Sequence, residues 1–135
     1  MGGRGSFLES GGFSHQEYRR ARDPIAGIKV LRHIGDPHKG LPEFCNTPNT
    51  MYLREDGMGN ITQLRLYKDR KPFLDVDWGH NHGDFKKGIP HVQEWHESSD
   101  ECFVRSSTTR ALSSSERKRF NDVFRALGVR MEFAR

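Results

Sequence analysis

The sequence predicts an α+β domain: an antiparallel sheet of three to five strands, one C-terminal helix packed on it, and a long His-rich loop. Three observations carry this expectation. Leu64 and Leu66, and then Leu74, Val76 and Trp78, alternate with polar neighbours at the period of half-buried strands. Turn formers cluster between the runs, at residues 55–60 and 68–72. Phe120, Val123, Phe124 and Leu127 recur at helical spacing and make one apolar stripe.

Taken in order, residues 1–24 are expected to be a flexible N-terminal segment, because residues 1–12 hold five glycines and little to bury. Residues 25–135 are then a single α+β domain. A short helical turn is expected over 15–22, stopped by Pro24. Residues 28–34 read as a strand with Ile28, Val30, Arg32 and Ile34 on one face. Gly35, Pro37, Gly40, Pro42 and Pro48 make 35–49 a loop, with Phe44 as its anchor into the core. Met51 and Leu53 open an antiparallel meander. In its third strand Leu74, Val76 and Trp78 point inward, so Asp75 and Asp77 must point together to the opposite face. Gly79, Gly83, Gly88 and Pro90 leave 79–101 without periodicity, and a loop of that length in a small domain is often functional. Residues 102–104 make a short strand. The helix begins at Ser113-x-x-Glu116, a capping box, and stops at Gly128. Val129, Met131 and Phe133 then alternate as a closing strand.

Composition narrows the function classes. A chain of 135 residues supports one domain, and with 33% hydrophobic and 30% charged residues its core must be small. No apolar run approaches the roughly 20 residues of a membrane span, so no membrane partner is expected. The N-terminus is Gly-rich rather than apolar, which argues against a secretory leader. Cys45 and Cys102 are the only cysteines, too few for a disulfide scaffold, and read as reduced thiols. The net charge of +4 permits nucleic acid as a partner without demanding it.

Chemistry concentrates in one stretch, from Asp75 to His96. Four of the seven histidines (His80, His82, His91 and His96) are interleaved there with Asp75, Asp77, Asp84 and Glu94, and the only two tryptophans, Trp78 and Trp95, bracket the loop. His80-Asn81-His82 on extended backbone would present both rings to one side, which suits two ligands of one metal. His80, His82, His91, Asp75 and Asp77 are the metal-ligand candidates. The cofactor such imidazole and carboxylate donors take is a divalent ion, with zinc, manganese and nickel all suited. A metal-free site is the alternative, with His91, His80 and Asp77 as acid/base groups and Lys86 and Lys87 on phosphate. The plainer alternative is that the histidines brace their own loop over packed tryptophans.

The segment from Tyr67 to His96, YKDRKPFLDVDWGHNHGDFKKGIPHVQEWH, resembles a motif of uncharacterised phage and prophage proteins. Their pattern runs from a tyrosine-bearing strand through D-x-D and H-x-H to P-H-x-H-x-W. It occurs in short stand-alone proteins and as C-terminal extensions of phage head-morphogenesis or minor capsid proteins. The resemblance covers roughly residues 50–127 and marks Asp75, Asp77, Trp78, His80, His82, Pro90, His91 and Trp95. Gln93 stands where relatives place the second His of P-H-x-H, which removes one ligand, and His96 would have to replace it.

The resemblance implies a phage-associated accessory protein, in the cytoplasm of a bacterial host or with the virion, whose His/Asp loop forms a binding site for a divalent metal. Two other functions stay open: a small toxin-like nuclease acting on RNA or DNA, and a non-enzymatic inhibitor that binds a host or capsid protein.

Overall fold

A computed structural model describes residues 17–36, 39–43, 45–79, 87–97, 103–106 and 108–129. The chain forms β1 (Tyr18–Ile25), β2 (Ile28–His33), β3 (Asn49–Glu55), β4 (Ile61–Lys68), β5 (Lys71–Asp77), β6 (His91–Glu97), β7 (Phe103–Arg105) and a helix, α1 (Ser114–Leu127). The strands make one seven-stranded sheet in sequence order. Every neighbouring pair is antiparallel except β2 and β3, which run parallel with Val30 opposite Leu53.

This corrects the expected antiparallel sheet of three to five strands: the sheet is larger and mixed. The added strands gave weak signals for physical reasons. β1 is an edge strand that buries Tyr18 and exposes mostly charged side chains, so it shows little alternation. It crosses the boundary expected after residue 24, and its residues 18–22 replace the expected helical turn. Its link to β2 is a two-residue turn, Ala26–Gly27, with φ of 50° and 78°, the double positive that matches strand twist. β6 occupies part of the expected loop. His91, Val92 and Gln93 are all buried, because an interior strand covered on both faces shows no wet alternate residue. β7 has only three residues. His91 and His96 therefore stand on a strand, and the His-rich connection after β5 is shorter than expected.

The sheet has two unlike faces. Val30, Leu53, Leu64, Leu66, Leu74, Val76 and Val92 share a cluster with Trp78 and with Phe120, Val123 and Phe124 of α1. The helix starts with the capping box: Ser113 Oγ accepts from the Glu116 N–H, and the Glu116 carboxylate accepts from the Ser113 N–H. It ends at Gly128 in the left-handed conformation. The parallel β2–β3 pair requires a crossover, and the described residues between the two strands, 34–36, 39–43 and 45–48, lie on the other face. Leu41 and Cys45 from that strap pack with Tyr18, Leu31, Tyr52 and Tyr67. Tyr18 Oη donates to Gly40 O at 2.8 Å, and Tyr67 Oη donates to Pro42 O. Phe44, the expected anchor, lies outside the described residues, as do residues 130–135 of the expected closing strand. No helix among the described residues is long and apolar enough to cross a membrane.

Candidate functional site

On the strap side, beyond the tyrosines, the sheet carries polar residues in a cross-strand grid. Arg65 stands opposite Asp75 and Gln63 opposite Asp77; Asp75 stands opposite Gln93 and Asp77 opposite His91. One β-bulge sets this register. The hairpin turn at Asp69–Arg70, both with positive φ, aligns Lys68 with Lys71. Phe73 is then the extra residue between Pro72 and Leu74, so Arg65 meets Asp75 rather than Leu74.

Asp75 and Asp77 share a face, but that face is buried. Asp75 is 0% exposed. Its Oδ1 accepts from Arg65 Nε at 2.7 Å, and its Oδ2 from Arg65 Nη2 at 3.1 Å, Gln63 Nε2 at 3.2 Å and Arg105 Nη1 at 3.2 Å. Arg65 Nη1 donates to Leu41 O at 2.8 Å, tying the strap to the sheet. Its guanidinium lies 4.8 Å over the Trp95 ring. Burial works against the Arg65 charge, but the Asp75 carboxylate outweighs it and holds the guanidinium protonated more firmly than usual. Burial likewise pushes the Tyr67 hydroxyl well above its ordinary pKa, against the pull of Arg65. Asp75 is thus a structural anion. A metal would have to displace two guanidinium groups to use it.

Asp77 and His91 occupy the end of the same face. Asp77 Oδ1 accepts from the Gly79 N–H at 2.9 Å, which turns the chain out of β5. Gly79 then passes against Thr62, where an added Cβ would lie 2.7 Å from Thr62 Cβ, so only glycine fits. The Gly88 N–H donates to Trp78 O at 2.8 Å, closing the base of the connection. Trp78 is an anchor: its Nε1 donates to Ile61 O at 2.9 Å and its ring meets Phe124 edge-on at 5.5 Å. His91 is fully buried, with Nδ1 3.1 Å from Ile89 O. A carbonyl oxygen only accepts, so Nδ1 is the donor of this bond, and Nε2 is the ring nitrogen left for proton transfer.

Of the residues singled out from the sequence, Asp75, Asp77 and His91 come together on one sheet face. Lys87 is exposed near the start of β6, and His96 is exposed further along it. His80, His82, Asp84 and Lys86 lie outside the described residues. Among the described residues, no three His, Cys, Asp or Glu side chains form a group that could hold a metal. Gln63, Arg65 and Arg105, which complete the network, were not expected. Their signal is Gln63-x-Arg65-x-Tyr67, polar at period two, facing Asp75-x-Asp77 across a tight hairpin. Comparison with family models, with curated proteins and with solved structures returned no match.

Proposed function

We propose that this chain is a small phage-associated protein that cleaves RNA by imidazole acid–base chemistry at His91. It would act in the cytoplasm of a bacterial host or be carried with the virion. The observation that carries the reading is the Nδ1 contact of His91 with Ile89 O, which orients the ring opposite Asp77 at the end of a sheet face that also bears Arg105. A neutral imidazole with its lone pair on Nε2 is suited to take a proton from an attacking hydroxyl at neutral pH. Arg105, 40% exposed, is placed to meet a phosphate. RNA is favoured over DNA because its 2′-hydroxyl is a built-in nucleophile, whereas DNA needs an activated water. The exposed Arg117, Lys118, Arg119 and Arg125 of α1 add affinity for a polyanion. Because His91 is buried, this end of the sheet must open to admit substrate. The phage association rests on the sequence resemblance.

Purified protein incubated with total RNA and with plasmid DNA, with and without EDTA, tests the reading. RNA degradation is expected to persist in EDTA and to fall by at least about 100-fold in His91→Gln. Plasmid is expected to stay intact. Circular dichroism and melting temperature must show that the variant is folded. Intact RNA with the wild-type chain, or equal cleavage by a folded His91→Gln variant, would overturn it. Cleavage abolished by EDTA and restored by manganese or zinc would replace it with a metal-dependent mechanism.

A further inference from the structure

A cavity lies on the helix-bearing face, away from His91. It encloses about 500 Å³ between the β1–β2 turn, the ends of β3 and β4, and α1. Ile28, Met51 and Leu66 contribute apolar wall, and Phe73, Lys68 and Arg119 complete the lining. The size falls within the range of small-ligand pockets.

Three features of this cavity select a ligand. Phe73 is the bulged residue of β5 and is 43% exposed, although it is large and apolar. The Lys68 ammonium lies 5.4 Å from its ring centroid, which places a cation and an aromatic face side by side. Arg119 brings a second cation from α1, and neither cation has an ion-pair partner among the described residues. A flat ring against apolar wall, next to two cations with no ion-pair partner among the described residues, matches a ligand with an aromatic body and a doubly charged anionic group. A nucleoside monophosphate has both: its base would stack on Phe73 and its phosphate would meet Lys68 and Arg119.

We propose that this cavity is a nucleoside-monophosphate site, separate from the His91 centre. Phe73 and Asp77 are four residues apart on β5, roughly 13 Å at about 3.3 Å per residue, and the His91 centre lies on the other face of the sheet. The inference does not rest on RNA cleavage.

Calorimetric titration of the full chain with AMP, CMP, adenosine and inorganic phosphate tests it. AMP or CMP is expected to bind with one-to-one stoichiometry and more tightly than adenosine or phosphate alone. Lys68→Gln and Arg119→Gln should each weaken binding about tenfold, the loss of one charge-assisted contact. Phe73→Leu should weaken it as well, and His91→Gln should leave it unchanged. The three pocket side chains are exposed and His91 is buried, and melting temperature checks that every variant stays folded. Absence of binding by both nucleotides at millimolar concentration would overturn the proposal. So would affinity unchanged by the three pocket substitutions, affinity lost in His91→Gln, or phosphate binding as tightly as the nucleotides.

Discussion

At the scale of single residues, Asp75 decides more than any other side chain on the strap-facing side. It is a buried charge with a bidentate guanidinium partner, and such pairs are costly to break because the survivor stays buried and unpaired. Asp75→Ala is expected to lower stability by roughly 3–5 kcal/mol in urea unfolding. That is a large share of the about 5–15 kcal/mol that holds a small domain together. Replacing both partners, as Arg65→Met with Asp75→Leu, should recover most of the loss. If the double variant is no more stable than Asp75→Ala, the cost arises elsewhere than in an orphaned guanidinium. The sequence showed that Asp75 and Asp77 share a face, because period two requires it. It did not show that the face is buried, because that depends on which strand lies opposite. A bulge at Phe73 makes that choice, and a bulge leaves no regular mark on an apolar–polar pattern.

Among the elements, α1 was the most legible, since its cap, stripe and stop all follow from local spacing. Its start is strengthened by Arg110, which donates to both Glu116 oxygens, at 2.8 and 2.9 Å, and to Glu94 at 2.8 Å. The hydrogen bond from Arg110 is the main reason that the Glu116 carboxyl sits below its ordinary pKa. Ser113→Ala is expected to cost about 1 kcal/mol, the usual loss for an N-cap. Glu116→Gln should cost at least as much, because it weakens both the cap and the Arg110 pair. Since the folded-state pKa of Glu116 is depressed, its contribution is present above pH 4.5 and is lost as acid protonates it. The difference in melting temperature between wild type and Glu116→Gln should therefore shrink as pH falls. A gap that does not change with pH would rule out the charged pair as its source. β6 was the least legible element. His91-Val92-Gln93 reads as loop because all three residues are buried, so no exposed alternate residue marks the period of two.

Across the whole molecule, the packing of Tyr18 and Cys45 between strap and sheet makes stability sensitive to alkali. Burial raises the Cys45 thiol to about 11, and burial together with Glu17 raises the Tyr18 hydroxyl to about 12. The folded chain holds these protons more tightly than the unfolded chain, whose groups titrate near 9.0 and 10.0. Their contribution is thus complete below about pH 9 and declines as pH rises through 11 to 12. Melting temperature should fall across that window, and fall less steeply in a Cys45→Ala/Tyr18→Phe variant. Parallel slopes would show that other groups govern the alkaline limit. The crossover that lays β3 parallel to β2 has a thermal consequence. Apolar contacts beneath α1 loosen on cooling, because their driving force is entropic near room temperature. The penalty for dehydrating Arg65 and Asp75 eases on heating, because water solvates ions less well when hot. Chilling should thus loosen the helix side first, while the strap stays fastened to its arginine as the temperature climbs.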